Sequence, residues 1–547
     1  MNDAILRAPP AENEPVLGYA PGSPERERVK SELQRLLGET FDIPCIIGGR
    51  EVRTGRRSPI VRPDDRRRPL GMFHMAGEAE TTAAVNAALA AKAEWEDMPW
   101  EERAAVFRRA AALIAGSYRP LLVASTMLCQ SKTVHQAEID AACEVIDFLR
   151  INPRFMEHLY AEQPQSDENE WNRLQYRPLE GFVYAVTPFN FTSIAANLAT
   201  APAMMGNVVV WKPASTSILS NYFLMKVYEE AGLPPGVINF LPGGGSAIST
   251  VLLGRPEFAG LHFTGSTAVF NSLWKQISDR LSIYRSYPRV VGETGGKDFI
   301  LMDPSADPDV ALVAALRGAY EYQGQKCSAA SRLYVPSSLA TAFLERLGAE
   351  VTSLRMGPVT DFRNFVGAVI DEASFDSILP YLDRACSASR ASCELKLLAG
   401  GKGDKTEGYF IQPTLLVAED PAYETMQKEL FGPVLTAYIY DEHDMEAAYR
   451  LVDSTSPYAL TGSIIARDRQ AIVRGLNSLR HAAGNLYVND KPTGAVVGRQ
   501  PFGGMRASGT NDKAGSLLNL IRWTSAGAVK ENLDPPRSWR YPFMDGE

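Results

Sequence analysis

The pattern that most restricts this chain is a rhythm of short apolar, β-rich runs separated by helix-length segments. The first series is GFVYAV (181–186), NVVVW (207–211), VINFL (237–241), GLHFTG (260–265) and RVVGE (289–293). The second is DFILM (298–302), RLYVP (332–336), LTAYIY (435–440), TGSIIA (461–466) and GNLYVN (484–489). Strands spaced by helices imply right-handed crossovers and a parallel sheet, so two successive α/β domains are expected. Upstream, AAVNAALAAKAEW, RAAVFRRAAALIAG and DAACEVIDFLR carry apolar residues at helical spacing. Residues 1–50, rich in proline and charge, read as a surface-hugging arm.

Composition excludes some classes. A net charge of −8 argues against a nucleic-acid surface. The one basic stretch, Arg53 to Arg68, is interrupted by Asp64 and Asp65 and reads as a solvated loop. The six cysteines (45, 129, 143, 327, 386, 393) form no C-x-x-C pair, and the six histidines are scattered, so no local metal site is expected. The run nearest to a membrane span, residues 194–211, is broken by Asn197, Pro202, Gly206 and Asn207 into a helix and a strand. A protein of a reducing compartment, the cytoplasm, is expected, with a small-molecule substrate and no membrane or nucleic-acid partner.

Chemistry-bearing residues sit where these strands end. In LHFTGSTAVF an apolar run stops at Gly265-Ser266-Thr267 and a helix begins. Its first turn suits a phosphate, and an ordinary Ser or Thr N-cap gives the same pattern. Lys212 closes VVVWK, at the carboxyl end of a putative parallel strand, where open α/β sheets bind ligands; a solvated lysine reads alike. TPFNF (187–191) follows the first strand, and Asn190 there either caps a turn or donates to an oxyanion. Glu293, before a Gly-Gly turn, is either an exposed carboxylate or a general base raised by burial. Cys327 stands in YQGQKCSAASR beside Lys326, and a neighbouring cation suits a reactive thiolate, although a buried structural cysteine is the alternative.

Taken in order, these segments and ELFGPVL (429–435) resemble the NAD(P)-dependent aldehyde dehydrogenases, from about residue 40 to the C-terminus. ETGGKD matches the family's glutamate motif and GQKCSAASR its cysteine motif, 34 residues apart. The resemblance implies Cys327 as nucleophile, Glu293 as base for thioester hydrolysis, and Asn190 with the Cys327 backbone N–H as oxyanion hole. It implies that Thr187, Lys212, Gly265, Ser266, Thr267, Glu429 and Phe431 hold the cofactor. That cofactor is NAD; Ser215, in place of a glutamate that repels a 2′-phosphate, leaves NADP open.

The stretch NDKPTGAVVGRQPFGGMRASGTNDKAGS (489–516) is similar to the subgroup that oxidises glutamate γ-semialdehyde, in equilibrium with 1-pyrroline-5-carboxylate, to glutamate in proline catabolism. That similarity implies α-carboxylate binding by the backbone N–H groups of Gly504 and Met505 and the Ser328 hydroxyl, with Phe191 and Glu144 lining the aldehyde path. Met505 departs from the subgroup's usual alanine. The implied organisation is an arm (1–50), an NAD-binding domain (51–292), a catalytic domain (293–490) and a substrate-anchor and oligomerisation segment (491–547). A small β flap near 160–180 and 517–540 would support a homodimer or larger homo-oligomer. A transient proline dehydrogenase partner is also left open.

Overall fold

The computed structural model describes residues 6–391 and 394–546; Cys393 and the first five residues of the arm lie outside them. Two seven-stranded sheets organise the chain, each flanked by helices. In the first, Arg289–Glu293, Phe258–Thr264, Phe182–Val186, Val208–Lys212 and Ile238–Phe240 run parallel in that spatial order. Four of these five strands match the expected runs within one residue at either end, and Phe258–Thr264 begins two residues earlier than its run. In the second sheet, all five expected strands are present and parallel to their neighbours. Two more strands, Thr414–Ala418 and the antiparallel edge Leu395–Ala399, complete it.

The arm departs from its expected boundary. Pro24–Gly38 is a helix, N-capped by Ser23 and buried through Val29, Leu33 and Leu36. Cys45–Ile47 and Arg50–Val52 form a hairpin that extends the first sheet antiparallel past Ile238–Phe240. Position 50 therefore falls inside an element of that sheet rather than at a domain edge. Six of the seven arginines of the basic stretch are exposed, as expected, and Arg62 is the exception. Arg57–Ile60 pairs with Gly71–His74, and Arg62 is buried against Asp64. Pairing offsets the desolvation that would otherwise keep both charges in water.

Local backbone chemistry aims the helices at the site. Glu138–Glu144 is a π-helix continuous with the α-helix Val145–Ala161, the kind of local widening often found at functional sites. Thr192–Met204 starts immediately after Phe191, and its first two amides, Thr192 and Ser193, donate to the Asp140 carboxylate at 3.0 and 2.8 Å. A carboxylate at a helix N-terminus satisfies orphan N–H groups and complements the dipole. Glu170–Arg177 and Ser525–Asn532 pair antiparallel as a separate two-stranded ribbon that carries the exposed Trp171.

Trp211 anchors the first sheet. It is fully buried, packs edge-on against Phe240 at 5.1 Å and donates its indole N–H to the Thr187 hydroxyl at 3.0 Å. Trp211→Ala should lower the unfolding free energy by about 3–5 kcal/mol, read as a shifted urea midpoint with an unchanged slope.

Candidate active site

The site lies between the two sheets, where the ends of first-sheet strands face the loop that precedes Ala330–Pro336. Glu293 is the last residue of its strand and lies opposite Thr264 in register. Its backbone carbonyl accepts from Gly265 at 3.2 Å, while its carboxylate accepts the Gly504 N–H at 3.0 Å. Burial holds this carboxyl well above the ordinary carboxylate range. The expected exposed-or-buried alternative is thus resolved toward burial.

Cys327 follows three consecutive residues in the left-handed region: Tyr322 (φ 53°), Gln323 (φ 55°) and Gly324 (φ 66°). Such a conformation costs roughly 1–2 kcal/mol for each non-glycine residue. Only glycine fits the third position, because a Cβ there would stand 2.3 Å from the Gly432 carbonyl oxygen. The turn is fixed from several sides. Gln323 donates to the Ser131 and Ala368 carbonyls and accepts from Gly367, and Gln325 accepts from Ile370. Asn190 donates its amide to the Gln325 carbonyl at 3.0 Å, two residues before the cysteine.

Lys326 does not act as the expected cation for Cys327. Its ammonium pairs with Glu321 at 3.1 Å. Burial, with Asp298, Glu293 and Glu429 nearby, instead pushes the Cys327 thiol up.

Around Cys327 one buried cavity is lined by Glu293, Ser328, Phe191, Glu144, Phe148, Phe502 and the segment Lys491–Ala495 except its proline. Phe191 is held by the Lys132 ammonium, 4.0 Å from its ring centre. Glu144 accepts from the Ser193 hydroxyl at 2.7 Å, and burial lifts its carboxyl to about 8. The Ser328 hydroxyl lies 2.8 Å from that of Thr493.

The expected carboxylate donors Gly504 and Met505 are not on this wall. The Gly504 N–H is taken by Glu293, and Met505 pairs in a two-residue strand with Ala459. The wall opposite Ser328 comes from Thr493, Gly494 and Ala495 instead. Sequence reading passed over TGA (493–495) in favour of the more glycine-rich FGG (502–504). The proximity of Ser328 to Thr493, 165 residues away, has no local signature.

The residues expected to hold the cofactor lie at the ends of neighbouring first-sheet strands and on the loop before Val434–Tyr440. Lys212 ends its strand, and its ammonium has neither an ion pair nor a hydrogen bond among the described residues; burial draws its pKa down to about 8. The bare approach at Gly244-Gly245 opens a helix close to it, with the Lys212 Cε 3.9 Å from where a Gly245 Cβ would sit. Ser266 caps Thr267–Ser278 by accepting from Val269, and Thr267 donates to the Ala507 carbonyl. Thr187 is buried beneath Trp211. Glu429 accepts from the Gly296 N–H at 2.8 Å and is raised by burial to about 7, and Phe431 (φ 56°) packs edge-on against Phe189 at 5.7 Å. A lysine with no ion pair, beside the N-terminus of the helix Gly245–Leu252, is suited to an anionic, hydroxyl-rich ligand.

With its thiol raised, Cys327 should be alkylated by iodoacetamide at a rate that keeps rising with pH to about 9 and beyond. A mass-spectrometric time course that levels off between about pH 7 and 8 would contradict this.

The chain matches the model of the aldehyde dehydrogenase family over residues 51–525. It is 50% identical over 544 residues to the mitochondrial delta-1-pyrroline-5-carboxylate dehydrogenase of Dictyostelium discoideum, covering 99% of this chain and 97% of that one. The crystal structure of the Delta-pyrroline-5-carboxylate dehydrogenase from Mycobacterium tuberculosis bound with NAD superposes with a TM-score of 0.95 at 50% identity, covering all of both chains. Proline utilization A from Bdellovibrio bacteriovorus superposes at 0.88 with 31% identity over 96% of this chain and 53% of that larger one. Matched by the family model over most of its length and half identical to these relatives, the chain belongs to the aldehyde dehydrogenase family.

Proposed function

We propose that this enzyme oxidises L-glutamate γ-semialdehyde, in equilibrium with 1-pyrroline-5-carboxylate, to L-glutamate with NAD in proline catabolism. The reading rests above all on one cavity that combines Cys327, Glu293 and a polar wall from Ser328 and Thr493–Ala495. A thiol and a carboxylate supply acyl chemistry, and the wall offers hydroxyls and backbone donors to an anionic end of the substrate. The relatives above carry the same substrate in their names.

The residues divide the work. The Cys327 thiolate adds to the aldehyde carbon, forming a C–S bond and an oxyanion. Asn190 has two amide N–H groups; one is engaged by Gln325, and the other, with the Cys327 backbone N–H, meets the oxyanion. NAD, when bound, accepts the hydride released as the adduct collapses to a thioester. Lys212, Ser266 and Thr267 would hold its sugar and phosphate groups, with Thr187 and Gly265 shaping the floor and Glu429 and Phe431 on the opposite side. Glu293 then removes a proton from water; the water oxygen bonds to the acyl carbon, the C–S bond breaks, and the thiol recovers its proton. Ser328 and the Thr493–Ala495 wall orient the α-carboxylate so that the aldehyde end reaches Cys327. Phe191 and Glu144 line the path.

Around this chemistry, the ribbon of Glu170–Arg177 and Ser525–Asn532 is assigned to homo-oligomer formation. Two strands alone are marginal in water, and Trp171, Leu533 and Trp539 are exposed on or beside it. Among the described residues, no single helix is long and apolar enough to cross a membrane. The cytoplasmic expectation gains nothing from the eukaryotic relative, whose name is mitochondrial. Handover from a proline dehydrogenase is a natural source of the substrate, as the length of proline utilization A beyond the matched part leaves room for a further activity.

Two measurements test the mechanism. In rapid-mixing assays of NADH formation, Glu293→Gln should keep a single-turnover burst yet lose about 10²–10⁴-fold in steady-state rate, whereas Cys327→Ala should lose both. A Glu293→Gln enzyme with normal turnover would remove Glu293 from the mechanism. Because the Glu293 carboxyl is raised, its base form is depleted as pH falls, so wild-type kcat should climb as pH rises above the ordinary carboxylate range. A flat profile would contradict that assignment.

A further inference from the structure

The arm that precedes the first helix is stitched into the site rather than laid over it. Leu17 and Tyr19 donate to the buried Glu138 at 3.0 and 2.7 Å, and Arg119 joins Glu138 to Glu14. The Glu14 N–H donates to Asp147 at 2.7 Å. Among the described arm residues, Asn13 is the one that hydrogen-bonds to the cavity wall's own loop. Its amide donates to the Asp147 carboxylate at 2.8 Å and to the Val497 carbonyl at 2.9 Å, while its carbonyl oxygen accepts from Arg499 at 2.8 Å.

The loop it grips is tied down at both ends, by Asn489 and Asp490 before the wall and by Pro501 to Gly504 after it. Its middle stretch, 493–500, is held by fewer contacts. No helix or longer strand lies between Val488 and Met505. On the cavity side the Ser328–Thr493 contact holds one end. At the other end, Val496 bonds to Arg499 and Gln500 within the loop itself, and Val497 packs on Phe148 and Ile151 of the helix that carries Asp147. Gly494 and Ala495, between these supports, line the cavity.

We propose that Asn13 is a positioning residue. It clamps Val497 and Arg499 to the Asp147 helix and thereby sets the Gly494–Ala495 wall at the spacing that receives the substrate carboxylate. This rests on the carboxylate reading given above. Asn13 touches no reacting atom, so its effect should appear in the KM of a carboxylate-bearing aldehyde and not in the chemistry.

The test uses the full chain with Asn13→Ala and the isosteric Asn13→Asp, which removes the two donors and sets a carboxylate against Asp147. Steady-state kinetics with glutamate γ-semialdehyde and with propanal, which has no carboxylate, are read beside hydrogen exchange of peptides covering 493–500. Losing a hydrogen bond to a charged group corresponds to roughly a tenfold rise in KM for the semialdehyde, with kcat within about twofold. Propanal kinetics should stay unchanged, which also reports that the variants are folded, and exchange at 493–500 should accelerate. An equal rise in KM for both aldehydes, or an unchanged KM for the semialdehyde, overturns the proposal. If wild type itself binds the semialdehyde no better than propanal, the carboxylate reading fails. Exchange then decides the clamp by itself: acceleration at 493–500 upholds it, and no change overturns it.

Discussion

The buried pair of Lys132 and Asp140 is the interaction on which the site's geometry depends. Its charges are 2.7 Å apart, and both side chains are essentially out of water. Taking two charges from water is costly, so such a pair persists only where further contacts complete it. Here they do. Asp140 accepts two amides at the start of the Thr192–Met204 helix, and Lys132 stands over the rings of Phe191 and Tyr322 at 4.0 and 4.5 Å. One ion pair thus ties together the π-helix, the Asn190–Phe191 turn of the first sheet and the left-handed turn ahead of Cys327. Removing either partner would leave an uncompensated charge at the junction of all three.

Around that junction the site is short of free positive charge. Lys326 and Lys491 both face Glu321, while Glu144, Glu293, Glu429 and Asp298 are all raised by burial. A resting thiol in such surroundings stays protonated. The thiolate, rather than the thiol, is the oxidisable form, so the same burial that delays nucleophilic attack shields Cys327 from oxidation.

The strands were legible because parallel strands covered on both faces leave continuous apolar runs, as in VVVW and FILM. Thr414–Ala418 and Leu395–Ala399 escaped because they are joined by a loop and a two-stranded turn, not by the helix that the rhythm demands. The hairpin at Cys45–Val52 escaped because three-residue strands carry too little pattern to stand out from a charged arm. Roles tied to strand ends, at Lys212, Glu293 and Ser266, could be placed from sequence, since the end of a strand fixes where a side chain emerges. Contacts between distant segments could not. Lys326 beside Cys327 in sequence is turned to Glu321, and the wall facing Ser328 is Thr493–Ala495 although Gly504 looks the better nest. Lys326 reaches back across the left-handed turn to a carboxylate five residues earlier, and nothing local records which of two glycine-bearing loops reaches the cavity.

That second loop shows how one segment serves two ends of the reaction. Between Thr493 and Gly509 the chain lines the cavity beside Ser328 and then returns to Glu293, where the Gly504 N–H meets the carboxylate and Gly509 bridges the backbone. Gly509 has φ 141°, and a Cβ there would stand 2.4 Å from the Gly292 carbonyl oxygen, so the approach admits no side chain. Gly292 in turn lies against the Phe270 ring, leaving no room for a Cβ on that side either. The base is therefore set by two glycines back to back, while the substrate wall hangs from the same stretch of chain. Glu293 itself stands on the first sheet, so the spacing between the substrate wall and the base depends on the hydrogen bonds by which residues 504–509 meet residues 292–293.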